Sequence, residues 1–189
     1  MGHVWERDGR ILLAAKGSPE RILTICSLTA SERQQVEQRI GEMSGRGLRV
    51  IAVGEQTVAD ERLIPTDLAE CSLEFCGLIG LSDPPRESIK QDIATCTKAG
   101  VRVVMITGDN GITARAIARQ IQMPHSDKIL TGDELDKLSE EELRDEVKDI
   151  SIFSRVLPEH KLRIVKAFKA NGEIVAMTGD GVNDAPALT

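Results

Sequence analysis

Two carboxylates near residue 180 have the type and spacing that metal ions require. Asp180 and Asp184 lie four residues apart within the stretch TGDGVNDAPAL. The apolar residues 174–177 precede them and have the length of a short buried strand. Because Mg²⁺ prefers oxygen ligands and open α/β sheets bind ligands at the carboxyl ends of their strands, the stretch predicts a magnesium site. A strand, turn and helix that carries two solvated acids is the alternative.

Two further strand-to-helix junctions suit a phosphate group. TGDN begins at Thr107 after the apolar run 101–106, and its hydroxyl and free backbone amides are typical of a phosphate site. RVLPEHK ends at Lys161, and its proline suits the first turn of a helix. A lysine near a helix N-terminus favours a bound anion, so Thr107 and Lys161 are candidates for contacts with a phosphoryl group. A solvated surface lysine is the alternative at 161.

The first third of the chain contains two cations near predicted strands, of which Lys16 is a candidate for a nucleotide contact. KGSPE places Lys16 beside Gly17 at the end of a predicted strand, where a glycine lets a ligand approach the backbone closely. GLR places Arg49 at the start of an apolar strand. Spacing alone favours an ordinary solvated lysine at 16, and a solvent-facing arginine at 49 is as consistent with the pattern.

The predicted elements fall into two groups. From about residue 78 to residue 189, strands and helices alternate, which predicts a doubly wound parallel sheet. Its strands are expected at 101–106, 128–131, 152–154 and 174–177, and its helices at 87–99, 111–121, 139–147 and from Pro158 onward. Before it, strands are expected at 10–15, 49–54 and 73–81, helices at 20–25 and about 31–44, and a polar loop at 56–71. DPPR joins the groups, and its prolines end one strand and open the next helix.

Composition excludes several classes of protein. The chain has 189 residues, of which 41% are hydrophobic and only 2% aromatic, and its formal net charge is −6. Few aromatic side chains and a negative charge argue against nucleic acid as a partner. The four cysteines form no CxxC pair, so we expect thiols of a reducing compartment. No apolar run approaches the roughly 20 residues of a membrane helix, so we expect the chain taken alone to be soluble.

The order of these motifs resembles that of P-type cation-transporting ATPases, which belong to the haloacid dehalogenase superfamily of phosphotransferases. KGSPE, GLR, DPPR, TGDN, RVLPEHK and TGDGVNDAPAL follow one another as in that family. The resemblance implies the last part of an α+β nucleotide-binding domain over residues 1–76. It implies a Rossmann-like phosphorylation domain over 77–189, a parallel sheet with helices on both faces that lacks its nucleophile strand.

The resemblance also implies roles for single residues. ATP, as substrate, would bind near Lys16 and Arg49, Thr107 would bind the transferred phosphoryl group, and Lys161 would neutralise its charge. Asp180 and Asp184 would hold Mg²⁺. Thr107 and Lys161 would also belong to the set of residues that bind ATP or its cofactor, together with Gly17, Asp83, Arg86, Gly108, Asp109, Arg155 and Asn183.

One catalytic part of the family is missing from the sequence. The nucleophilic aspartate of such pumps lies in a DKTGT segment, which this sequence does not contain. The resemblance therefore implies a piece of the cytoplasmic region of an integral membrane pump, most like the calcium and sodium pumps. Its other partners would be the rest of that pump and the transported cation. Alone it is expected to be inactive and marginally stable, because the strand edges at 101–106 and 174–177 would lack a neighbour. A phosphatase of the same superfamily and an inactive nucleotide-binding module are the alternatives.

Overall fold

The computed structural model describes residues 1–7 and 9–179 of the chain. The chain divides into two compact units, Met1–Asp83 and Pro84–Thr189. The domain boundary predicted between residues 76 and 77 falls within the last strand of the first unit. The assignment of the two units to a nucleotide-binding and a phosphorylation domain stays a prediction.

The first unit contains an antiparallel sheet in which each strand pairs with its neighbour in the chain. Its strands are β1 (Gly2–Arg7), β2 (Arg10–Gly17), β3 (Arg49–Val58) and β4 (Glu74–Leu81). The sequence pattern did not predict β1, whose residues are mostly polar or exposed. It forms because the chain turns back at Gly9, which has a φ of +71°, and pairs with β2 from Gly2↔Ala15 to Arg7↔Arg10.

Two helices cover one face of this sheet, α1 (Pro19–Thr24) and α2 (Ala30–Gly45). Both pack against β3, where Val50 and Ala52 are buried while the alternate residues Ile51 and Val53 are only partly covered. Because side chains alternate across a strand, one face of the sheet forms the core and the other remains open. Cys26 and Cys71 are free thiols buried in this core, and burial raises the pKa of both.

The second unit contains a parallel sheet of three short strands in the order β5-β7-β6. The strands are β5 (Met105–Ile106), β6 (Ile129–Thr131) and β7 (Ile152–Ser154). Five helices accompany them: α3 (Ile89–Lys98), α4 (Gly111–Gln120), α5 (Gly132–Leu135), α6 (Glu140–Glu146) and α7 (Pro158–Ala170). The prediction of a mixed α/β chain that contains a parallel sheet is confirmed in these residues, and the Rossmann-like architecture stays a prediction.

Helices cover both faces of the central strand β7. Ile152 packs in a cluster with Ile93 of α3 and Ala118 of α4. Its neighbour Phe153 packs in a second cluster that includes Leu143 of α6 and residues of α7. Adjacent residues of a strand point to opposite faces, so β7 is buried on both sides, as parallel strands usually are.

Two predicted strands differ from the structure. Only Met105–Ile106 of the apolar run 101–106 pairs, and Val101 is 54% exposed. Residues 174–177 form no strand in the described part of the chain, and Ile174 is fully exposed. An apolar run becomes a strand only where a neighbouring strand can receive its hydrogen bonds. Among the described residues, β5 pairs with β7 alone and residues 174–177 pair with none.

Candidate functional site

The carboxyl edge of the parallel sheet brings two of the predicted motifs together. Thr107 follows β5 and Arg155 follows β7. The Thr107 N–H donates to the Phe153 carbonyl oxygen at 2.9 Å, and the Val156 N–H donates to the Thr107 carbonyl oxygen at 3.1 Å. The Arg155 N–H donates to the Asp109 carbonyl oxygen at 3.0 Å. These bonds join the TGDN turn to the loop that leads into α7.

The TGDN turn is further fixed by its own side chains. The Thr107 hydroxyl oxygen accepts the Asp109 N–H at 3.1 Å, and the Asn110 side-chain oxygen accepts the Thr113 N–H at 3.0 Å. The second bond caps α4, so the N-terminus of α4, with its partial positive charge, lies at the same edge. Gly108 is exposed, and no described atom lies within 4 Å of the place a Cβ would take. The turn therefore offers a hydroxyl and a helix N-terminus to an anion.

Lys161 lies in the first turns of α7, directly after the loop that contains Arg155, and its side chain is partly buried. Thr107, Asp109, Arg155 and Lys161 thus occupy neighbouring segments at one sheet edge. A hydroxyl, a helix N-terminus and two cations at such an edge are suited to a phosphoryl group.

The loop before α7 adopts an unusual backbone conformation. Arg155 has a φ of +52°, a region that favours glycine. Its carbonyl oxygen lies against Gly132 of α5, where a Cβ would overlap it. Gly132 is therefore required by the close approach of the two backbones. Strained residues of this kind cluster at functional sites, and Arg155 is one of the predicted site residues.

His160 is a residue of this region that the sequence interpretation missed. It is 2% exposed, its Nδ1 accepts the Leu157 N–H at 3.2 Å, and its Nε2 lies 2.8 Å from Asp136 Oδ1. Because Nδ1 accepts, Nε2 carries the proton and donates to Asp136. The signal that could have revealed it is a histidine at the third position of a helix, where a glutamate would normally complete a capping box.

The helix α5 that carries Gly132 has its own cap. The Thr131 backbone N–H and hydroxyl donate to the Glu134 carboxylate at 2.8 and 2.7 Å. These two bonds hold the pKa of the Glu134 carboxyl below its ordinary value. The cap therefore stabilises the four-residue helix α5, which contacts the loop that contains Arg155.

In the first unit, Lys16 and Arg49 lie on the open face of the sheet. Lys16 is the cross-strand partner of Val53, and Arg49 lies four residues before Val53 on β3. Cross-strand partners share a face, so the two cations are about 13 Å apart along the strand. Ile51 and Val53 lie between them, both partly covered. Gly17 pairs with Ala52 and therefore lies on the covered face, where a Cβ would meet Ile22 at an ordinary 3.5 Å.

The structure places the remaining candidates as follows. Asp83 and Arg86 are both exposed, and the division between the units falls between them. Arg86 lines a pocket of about 430 Å³ in the second unit together with Lys90 and Gln120.

Asp180, Asn183 and Asp184 lie outside the described residues, so the magnesium site stays a prediction.

Residues 1–7 and 9–179 contain neither a cluster of metal-ligating side chains nor a helix suited to a membrane. These residues contain no group of three or more His, Cys, Asp or Glu side chains placed to hold a metal ion. None of the helices within the described ranges has the length and hydrophobicity needed to cross a bilayer.

The parallel sheet with helices on both faces of β7 is typical of α/β proteins, and comparison with known families identifies the family. The family model of haloacid dehalogenase-like hydrolases matches residues 14–189, so the chain belongs to this family.

The relatives of the chain narrow the comparison further. It is 42% identical to a calcium-transporting ATPase of Bacillus subtilis over 98% of its length, and 39% identical to calcium-transporting ATPase 1 of Saccharomyces cerevisiae over 96%. A probable cation-transporting ATPase F of Mycobacterium tuberculosis is 42% identical over 96% of the chain. The resemblance to P-type cation-transporting ATPases is thus confirmed. The chain spans about a fifth of the length of these curated relatives.

Proposed function

We propose that this chain is the ATP-binding and phosphorylation part of an ATP-driven cation pump of the P-type. The observation that carries the proposal is the carboxyl edge of the parallel sheet, where the Thr107 turn is hydrogen-bonded to the Arg155 loop that leads into α7, the helix that contains Lys161. The names of the relatives favour Ca²⁺ as the transported ion. The transport path and the membrane helices would lie outside the described residues, and this part would face the cytoplasm.

The open face of the first unit supports the binding of ATP. Ile51 and Val53 form a strip of apolar side chains, and the cations Lys16 and Arg49 lie at its two ends. An adenine ring needs a flat apolar surface, and its phosphates need cations, so the strip suits a nucleotide better than a purely polar or purely apolar ligand. Gly17, Asp83 and Arg86 remain proposed contacts.

At the parallel sheet, the chain's residues would stabilise the transferred phosphoryl group. The Thr107 hydroxyl can donate to one phosphoryl oxygen, and Lys161 and the N-terminus of α4 add positive charge where negative charge develops. Arg155, Gly108 and Asp109 complete the edge. Mg²⁺, held by Asp180 and Asp184 beside Asn183, would supply further charge neutralisation. The acceptor would be an aspartate that this sequence does not contain, since it has no DKTGT segment.

The test is a calorimetric titration of the chain with ATP. We expect binding that is weakened roughly 10- to 150-fold by Lys16→Ala and by Arg49→Ala, since a hydrogen bond to a charged group contributes roughly 1.5–3 kcal/mol. Arg39→Ala is the matched control, because Arg39 is an exposed cation on α2, which covers the opposite face. Equal affinity in all three variants would place the nucleotide elsewhere.

A second assay separates the alternatives. With labelled ATP and Mg²⁺, we expect no acid-stable phosphoprotein, because the nucleophile motif is missing. A phosphorylated aspartate in this chain would contradict the proposed division of catalytic parts. Hydrolysis of simple phosphate monoesters would instead indicate a phosphatase of the same family.

A further inference from the structure

The start of α7 is built differently from the starts of α2, α5 and α6. Those three helices have complete capping boxes, formed by Thr29 with Glu32, Thr131 with Glu134 and Ser139 with Glu142. The residue before α7 is Leu157, whose side chain cannot cap. The Leu157 N–H instead donates to Nδ1 of His160, at 3.2 Å. An imidazole therefore does at α7 what a carboxylate does at the other three helices.

The imidazole also makes a second bond that a carboxylate could not make. Nε2 of His160 donates to Asp136 Oδ1 at 2.8 Å, just after the end of α5. A glutamate at position 160 would place one carboxylate against another. A histidine that accepts at Nδ1 and donates at Nε2 satisfies both partners while it is 2% exposed.

The helix α5 contacts the loop before α7 at a second point. The carbonyl oxygen of Arg155 lies against Gly132, and the imidazole of His160 also lies close to the position of a Gly132 Cβ, at 3.1 Å. Gly132 and Asp136 together form what we call the α5 seat. The loop before α7 is thus held at Arg155 by close backbone contact and at Leu157 and His160 by hydrogen bonds.

We propose that His160 is a positioning residue that sets the places of Arg155 and Lys161 at the phosphoryl-binding edge, through the α5 seat. Lys161 is the next residue of the helix, so the two bonds of His160 fix the rotation of the turn from which Lys161 projects. The inference rests on the proposed function for the phosphate role of Lys161. The geometry that it invokes is independent of that role.

The experiment compares the full chain with His160→Ala, which loses both bonds, and with His160→Gln, whose side-chain oxygen can again accept the Leu157 N–H. His125→Asn is the matched control, because His125 is an exposed histidine of the same unit and asparagine tolerates its φ of +54°. Two readouts are taken by NMR: hydrogen exchange of the Arg155 and Leu157 amides, and binding of inorganic phosphate followed at the Thr107 and Lys161 amides.

We expect His160→Ala to exchange both amides at least about tenfold faster while the amides of Leu143 and Val147 in the core keep their protection. We expect its affinity for phosphate to fall about tenfold, since small displacements of charged groups have large effects. His160→Gln should recover most of the amide protection and most of the phosphate affinity. His125→Asn should change neither the exchange rates nor the affinity. His160→Leu fills a similar volume without an acceptor, so rescue by glutamine but not by leucine distinguishes the cap from simple loss of packing volume.

Unchanged exchange at Arg155 and Leu157 in His160→Ala would overturn the inference, as would faster exchange with unchanged phosphate affinity. If the wild-type chain binds no phosphate, the proposed role of this edge fails. In that case the exchange rates still test whether His160 positions the loop. Faster exchange in His160→Ala that recovers in His160→Gln would support this positioning, and any other result would contradict it.

Discussion

The loop before α7 lies so close to Gly132 of α5 that a side chain would not fit there. We expect Gly132→Ala to lower the free energy of unfolding by about 1–3 kcal/mol, because its Cβ would overlap the Arg155 carbonyl oxygen and force the backbone to move. Urea unfolding followed by circular dichroism measures the effect. Gly108→Ala is the control at the same sheet edge, where the added Cβ meets no described atom within 4 Å. Similar midpoints for the two variants would show that the overlap is relieved without cost.

Single residues of the site differed in how far the sequence could predict them. Local pattern correctly placed Thr107 at a strand-to-helix junction and Lys161 near a helix start, and their contacts with a phosphoryl group stay a prediction. His160 could not be predicted, because its partner Asp136 belongs to another helix and becomes its neighbour only in the fold. The positive φ of Arg155 could not be predicted for the same reason, since it depends on contacts with Gly132 and Asp109.

At the scale of elements, the capping boxes give the helices a dependence on pH. The Ser139 backbone N–H and hydroxyl donate to the Glu142 carboxylate and hold its pKa below the ordinary value. A group whose pKa is lowered in the folded state stabilises it above its unfolded pKa of about 4.3, and this contribution is lost as the pH falls through the lowered value.

We therefore expect the unfolding free energy of the wild type to fall more steeply than that of Glu142→Gln between about pH 5 and about pH 3. Glutamine caps in the same geometry and does not titrate. Urea midpoints at several pH values measure the difference. Glu141→Gln removes the same charge from the same helical turn, and a slope equal to that of Glu142→Gln would assign the effect to net charge instead of the cap.

The predicted strand at residues 174–177 can be tested by comparing the stability of a variant at residue 174 with that of a variant in the core. Ile164 of α7 is fully buried, so we expect Ile164→Ala to destabilise the chain by about 2–5 kcal/mol. Ile174 is fully exposed, so Ile174→Ala should change stability by less than about 0.5 kcal/mol. Thermal and urea unfolding compare the two variants. A cost at residue 174 as large as that at 164 would restore the buried strand that the sequence predicts.

The helices were better predicted than the strands for a physical reason. A helix satisfies its hydrogen bonds locally, and signals such as Pro158 or the pair Ser139 and Glu142 mark its start in the sequence. A strand needs a partner that is remote in the chain. The apolar run 101–106 predicted a longer buried strand than the structure contains, because only Met105–Ile106 finds a neighbour in β7 and Val101 is exposed.

At the scale of the whole molecule, the order of the motifs was the most informative feature of the sequence. Each of KGSPE, DPPR and TGDN is short, but their succession predicted the family that the model over residues 14–189 confirms. The sequence predicted a domain boundary between residues 76 and 77, whereas β4 belongs entirely to the first unit and the two compact units divide at Asp83; the domain assignment stays a prediction. Strand pairing decides such a boundary, and composition does not reveal it.

The strand orders of the two sheets have a consequence for the kinetics of folding. In the first unit, β1 pairs with β2 across the short connection at Gly9, so its first ladder closes a very small loop. In the second unit, Met105 pairs with Ile152 across a long stretch of chain that contains α4, β6, α5 and α6. Non-local pairing slows folding because loop entropy is lost before contacts form. We therefore expect the β1–β2 ladder to form faster than the parallel pairing of β5 with β7.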